Sequence, residues 1–256
     1  RFFGEQPLTV TEAAKIGQFA ENQYWNKASG LMDQMACGVG GCVLLDFAHD
    51  ILYKKVEFSF EKLGYQLFLV NTGKGHADLT AEYSAIPQEM NAVAHALGVS
   101  RLIESDLSTL LTQWKKIESK VGNDRAMLRA LHFYQENERV DTALAAIQQG
   151  DTATLLRQLT LSGQSSAQWL QNSFSISTPT VQKITLTLAH TQMFLDQIGD
   201  GCCRVHGGGF AGVILSVVPS AYAREYQAYM ENYLSEGGIY PISIRSHGAI
   251  CLDAIT

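Results

Sequence analysis

Apolar positions recur along this chain at a helical period and at an alternating period, and the switches between them mark its elements. Thr9-Val10-Thr11-Glu12 sets a capping residue ahead of a run in which Ala14, Ile16, Phe19 and Ala20 share one face, which predicts a helix ending near Tyr24 with Asn26 as a left-handed stop. Cys42 to Phe47 reads as a short buried strand, Lys55 to Phe60 as a half-exposed alternating strand, and Tyr65 to Val70 as a third. A break follows at Asn71 to His76. Asp78 reads as the N-cap of a helix that Pro87 is expected to interrupt. From Arg101 to about Gln171 the period is helical, with Asp151 capping a helix after Gly150, while Leu161 to Ser166 reads as a small-residue turn without Walker spacing. After Thr178-Pro179 the pattern predicts a helix from Val181 to Gln197, then strand, triple-glycine turn and strand over Gly201 to Val218. A helix over 220 to 235 and a last strand at Ile242 to Arg245, continued by Ala249 to Leu252, complete an alternating α and β pattern.

Composition narrows the class. The 256 residues are 46% hydrophobic and 17% charged, the balance of a chain that buries a core. A formal net charge of -6 argues against nucleic acid and anionic membrane surfaces as partners. Five cysteines, Cys37, Cys42, Cys202, Cys203 and Cys251, make an odd count without C-x-x-C spacing, so reduced thiols and a cytoplasmic setting are expected. No apolar run is long enough to span a membrane. The chain starts at Arg1 rather than methionine, and a piece of something longer is expected.

Two stretches carry candidate chemistry. In Ser29-Gly30-Leu31-Met32-Asp33-Gln34 a glycine turn feeds Asp33 into what reads as the first turn of a helix. Unpaired amides and the helix dipole keep a carboxylate ionised there, fit either to accept a proton or simply to cap the helix. In Arg204-Val205-His206-Gly207-Gly208-Gly209-Phe210, three glycines let main-chain amides approach a ligand, or make a tight turn with none. Asp46, at a strand end, reads as a turn residue. His76 lacks a metal-spaced partner and reads as structural. His132, Glu136 and Arg139 read as a charged helix face with internal pairs.

The segment Ala20 to Gln34 resembles the one that holds the catalytic aspartate of galactokinases, sugar kinases of the GHMP superfamily. Arg204-x-x-Gly207-Gly208-Gly209-Phe210-x-Gly212 resembles their third signature motif, which shapes the phosphate-donor and sugar pockets. His76, Leu79 and Tyr83 follow an Asn-Thr pair as in that family. The resemblance implies that Asp33 is the catalytic base, that Glu21, twelve positions earlier, ligates magnesium, and that Gly30 and Tyr83 touch the sugar. Departures are Asn26 and Ala28 in the first motif, Ile86 for a usual arginine, Met90 for a frequent cysteine and Gly163 for a frequent histidine. The family's N-terminal sugar signature and its Gly-Leu-Ser-Ser-Ser phosphate loop do not occur here.

The fold implied is α+β and GHMP-kinase-like, with residues 1–63 a remnant of the N-terminal domain and 64–256 a C-terminal domain of antiparallel sheet layered with helices. The implied activity, when joined to the missing N-terminal half, is transfer of the γ-phosphoryl of ATP to the anomeric hydroxyl of galactose or a related sugar, with Mg2+ as cofactor. Alone, the chain is expected to be inactive. A non-catalytic sugar sensor on the same scaffold and a ligand-free structural domain are the alternatives.

Overall fold

A computed structural model describes residues 8–25, 29–73, 75 and 79–250. The chain divides into two compact units, one comprising the residues up to Ser59 together with those from Ile244 onward, the other Phe60–Ser243. Asn26, Ala28, His76, Asp78 and Cys251, each singled out above, lie outside the described residues.

The first unit opens with helix α1 (Val10–Phe19). Thr9 and Glu12 close the expected capping box: Thr9 Oγ1 accepts from the Glu12 amide at 3.2 Å and Glu12 Oε2 accepts from the Thr9 amide at 2.8 Å. The helix runs on as a five-residue π-turn, Ala20–Tyr24, and stops at Trp25. Helix α2 (Met32–Val39) ends at Gly40, whose φ of +67° turns the chain into strand β1 (Cys42–Asp46). Strand β1 pairs antiparallel with β2 (Leu52–Val56) from Cys42↔Val56 to Asp46↔Leu52. This corrects the expected strand at Lys55 to Phe60. Asp46 Oδ1 accepts from the Ala48 amide at 2.8 Å and tightens the connecting turn. Pairing therefore starts at Leu52, and the five residues of β1 are used up at Val56. Strand β1 is half-buried rather than buried.

Residues 245–249 return along the C-terminal end of α2. The Gly41 amide donates to the Arg245 carbonyl at 2.8 Å, and a Cβ on Gly40 would lie 2.2 Å from the Gly248 nitrogen, so only glycine allows this approach. The expected strand over Ile242 to Arg245 and Ala249 onward is thus corrected: the last strand lies earlier, and 249–250 are not strand.

In the second unit, β3 (Tyr65–Asn71), β4 (Cys202–His206), β5 (Val213–Pro219) and β6 (Ile239–Ile242) form an antiparallel sheet in the order β4-β5-β3-β6. Its core packs Phe68, Val70, Val205 and Ile214 against Ile184, Phe194 and Leu195 of α8 (Lys183–Ile198) and Tyr226 and Met230 of α9 (Ala223–Glu231). Helix α9 is shorter than the expected 220 to 235, because Ser220–Tyr222 form a 3-10 turn. A second core joins α3 (Thr80–Leu97), α4 (Leu107–Thr112), α5 (Trp114–Val121) and α6 (Asp124–Gln149) through Val93, Leu110, Ile117 and Met127. Helix α3 passes unbroken through Pro87. The proline is exposed, so water can meet the carbonyl it leaves unpaired, while Val93 and Ala94 anchor the helix beyond it.

Helix α7 (Thr152–Ser165) contains the stretch expected to be a turn, and a π-turn, Ser166–Leu170, follows it. The small residues serve packing. A Cβ on Gly163 would lie 2.9 Å from Arg204 Cβ and 3.1 Å from the Cys203 carbonyl oxygen, so α7 rides directly on β4. His132 is buried rather than on a solvated face, with Nδ1 2.9 Å from Ser165 Oγ, although Arg139 does pair with Glu136. Cys37, Cys42, Cys202 and Cys203 are free thiols. Among the described residues no helix is long and apolar enough to cross a membrane.

Candidate active-site residues

The end of α1 is built to hold Ser29. Asn22 Oδ1 accepts from the Ser29 amide at 2.7 Å, and Gln18 Nε2 and Asn22 Nδ2 donate to the Ser29 carbonyl at 3.1 and 3.3 Å. Ser29 Oγ donates to Glu21 Oε2 at 2.5 Å, and Gln34 Nε2 donates to Glu21 Oε1 at 2.8 Å. Gln18, Glu21 and Asn22 are spaced i, i+3 and i+4, so they share one helix face and all three reach the same loop.

Asp33 follows this anchor as the second residue of α2, exposed, in a first turn that has no side-chain cap. Among the described residues no hydrogen bond reaches its carboxylate. Gly30 is also exposed, and a Cβ there would meet nothing within 4 Å, so packing does not require the glycine. Glu21, Gly30 and Asp33 thus stand on three successive pieces of the first unit, the π-turn, the loop and the first turn of α2, and Glu21 is tied to the last two by its bonds with Ser29 and Gln34.

Among the described residues no group of three or more His, Cys, Asp or Glu forms a metal cluster. Magnesium at nucleotide sites commonly takes one or two carboxylates, with phosphates and water completing the shell. A carboxylate oxygen can accept more than one partner, so the bonds from Ser29 and Gln34 fix Glu21 without barring such an ion.

The second unit carries Tyr83 and the triple glycine together. Tyr83 Oη donates to the Gly209 carbonyl at 2.8 Å, and its ring meets Phe210 edge-on at 5.5 Å. Burial pushes the Tyr83 phenol above its ordinary value, so the hydroxyl stays neutral and remains the donor to Gly209. Gly207 and Gly209 have φ of +75° and +81°, and Phe210, without a glycine's freedom, sits at +60°.

Asn172, absent from the sequence reading, holds this turn. Its carbonyl accepts from the Phe210 amide at 2.5 Å, and Nδ2 donates to the Gly208 carbonyl at 3.2 Å. Ser175 donates to the buried Glu82 carboxylate beside Tyr83 and ties the same loop to α3. No spacing signal marks Asn172, because its partners lie 36 and 38 residues away. Ser29 and Gln34 stood within the quoted motif without a role.

The second unit has a four-stranded antiparallel sheet with covering helices and the first has two helices and a hairpin, an α+β architecture of the GHMP-kinase-like kind expected. A solved galactokinase from Lactococcus lactis, complexed with galactose, superposes with a TM-score of 0.77 at 21% identity over 95% of this chain and 61% of its own. Mevalonate kinase from L. major, in complex with R-mevalonate, shares the fold more loosely, with a TM-score of 0.56 at 13% identity over 94% of this chain and 60% of its own. Within that class the sequence is galactokinase-like. It is 31% identical over 240 residues to the galactokinase of Mannheimia succiniciproducens, covering 92% of this chain and 58% of the relative. It is 29% identical over 244 residues to that of Actinobacillus pleuropneumoniae, covering 93% and 59%. The chain therefore spans about three fifths of the length of these curated relatives. No family model matches it.

Proposed function

We propose that this chain is the C-terminal portion of an ATP-dependent sugar 1-kinase of the galactokinase kind, and that Asp33 accepts or orients the anomeric hydroxyl proton of galactose or a close relative. The observation that carries the reading is Asp33 itself. It is an exposed carboxylate on a helix end whose preceding loop is fixed by Ser29 and Glu21. Phosphoryl transfer needs positioning and charge neutralisation more than covalent chemistry from the protein. Asp33 takes the proton as the sugar oxygen attacks the γ-phosphorus, and ADP leaves with the bridging oxygen. The resemblance assigns a sugar contact to the Tyr83 ring and another to Gly30, whose missing side chain leaves the backbone before Asp33 open. Gly207 to Gly209 hold Tyr83 in place. Magnesium, entering with ATP, would neutralise phosphate charge, with Glu21 the carboxylate of this chain that would hold it.

The test is Asp33→Asn in the complete polypeptide, this chain joined to the N-terminal half its relatives carry. Turnover should fall by about 10² to 10⁴-fold while sugar affinity and fold persist. Unchanged turnover would sink the assignment and favour a sensor that binds sugar without reacting it. The 256-residue chain alone is expected to show no kinase activity.

A further inference from the structure

A cavity of about 310 Å³ opens in the second unit, with neither Tyr83 nor the glycine turn in its lining. One wall is α8, where Lys183, Thr187 and His190 are spaced i, i+4, i+7 on one face. Another is Tyr233, just past the end of α9, whose ring stacks on His190 with centroids 3.8 Å apart and planes 20° from parallel. Tyr240 of β6 completes the aromatic surface. Tyr233 and Tyr240 are 51% and 50% exposed, so two ring surfaces in one cavity remain in contact with water.

The polar groups alternate in character. Asn71 Oδ1 accepts from the Gly73 amide at 2.9 Å, which turns Nδ2 toward other acceptors. Thr187 Oγ1 donates to the Lys183 carbonyl at 2.8 Å, which leaves its lone pairs to accept. Lys183 and Glu236 both line the cavity, so its charged lining is of mixed sign.

We propose that this cavity is a binding site for a neutral hexose-sized polyol ring. Rings such as Tyr233 and Tyr240 pack on the C–H face of a sugar, and interleaved donors and acceptors fit hydroxyls on adjacent carbons, which each donate and accept. The volume lies at the lower end of ordinary small-ligand sites, which suits one ring rather than a nucleotide. The site stands on its own lining and does not depend on the kinase reading.

The test is amide NMR on the full 256-residue chain, titrated separately with galactose, galactose 1-phosphate and inorganic phosphate. Galactose should shift amides of Asn71 to Gly73, Lys183 to His190 and Tyr233 to Tyr240, and inorganic phosphate should not. Tyr233→Ala and Tyr240→Ala should each weaken binding about tenfold, with Tyr233→Phe retaining it. If Tyr233→Ala loses its folded spectrum, Tyr240→Ala at the half-exposed strand position decides. The proposal is overturned if galactose shifts nothing here, or only the surroundings of Tyr83, which is where the proposed reacting sugar would sit. It is equally overturned if galactose 1-phosphate binds only as strongly as inorganic phosphate and galactose not at all, which would make this an anion site.

Discussion

Three adjacent glycines make three different demands. At Gly209 an added Cβ would stand 2.3 Å from the Asn172 carbonyl oxygen with φ at +81°, and neither backbone can yield without breaking the Phe210 to Asn172 bond. Gly207 has φ of +75° but open space around it, so only torsional strain opposes a side chain. At Gly208 the obstacle is Tyr83 Cε1, 2.7 Å away, an aromatic ring that can swing. Gly209→Ala should therefore cost about 3 kcal/mol or more and Gly207→Ala about 1 kcal/mol, read by denaturant unfolding. Gly208→Ala should cost little stability but displace Tyr83, weakening sugar affinity in the complete polypeptide. Equal losses at all three positions would refute this division.

His132 gives the residue scale a pH dependence. Burial pushes its imidazole down to about 4. Glu136 opposes the shift, while Arg139 and Arg204 reinforce it. Between the ordinary value of 6.5 and about 4 the unfolded chain binds a proton that the folded chain refuses. Stability should thus be flat above 6.5 and fall as pH drops through that window, by up to about 3 kcal/mol. Carboxylates titrate there too, so the measurement is the difference between the chain and His132→Gln, whose unfolding free energy should lack this part of the slope. Identical slopes would show that His132 is protonated in the fold.

Elements were legible where the signal was local. The capping box at Thr9 and Glu12, the strands flanking the glycine turn and the long helical stretch from Arg101 all depend on neighbours in sequence. The strand expected at Lys55 to Phe60 moved because the turn after Asp46 sets where pairing begins, whereas the helix read as a turn depends on contacts far along the chain. Leu161 to Ser166 has the composition of a turn, yet Gly163 and Ser162 are small because β4 and Glu136 lie against them, and Ser162 Oγ donates to Glu136 Oε2 at 2.5 Å. Candidate site residues divided in the same way: Asp33, Glu21 and the glycines stood in motifs, whereas Asn172 acts through partners no spacing reveals. Gly163→Ala should force α7 off β4 and destabilise the chain by roughly 1–3 kcal/mol. An alanine is the better helix former, so a stabilised Gly163→Ala variant would mean that the contact with Arg204 is not close in solution.

At the scale of the whole molecule the two units differ in what they bury. The second has a four-stranded sheet and two extended cores. The first has a two-stranded sheet and a core of Ala14, Met35 and Val39, with partly buried neighbours. Ile16 and Phe19 on α1, Trp25 beyond it and Leu52 on β2 stand largely exposed, Phe19 at 68%. A lone hairpin with so few buried side chains is marginal in water, and exposed apolar side chains in such number mark a surface made to be covered. About two fifths of each relative's length lies outside the stretch this chain matches, and under the proposed function that part would supply the covering. Hydrogen exchange on the 256-residue chain should show amides of α1, α2, β1 and β2 exchanging far faster than those of β3 and β5. Supplying the N-terminal half of a matching kinase, joined or in trans, should slow exchange selectively in the first unit, because binding that favours one folded unit raises its apparent stability. Equal protection of the two units in the chain by itself would mean that the first is already complete, and the proposed need for an N-terminal half would fail with it.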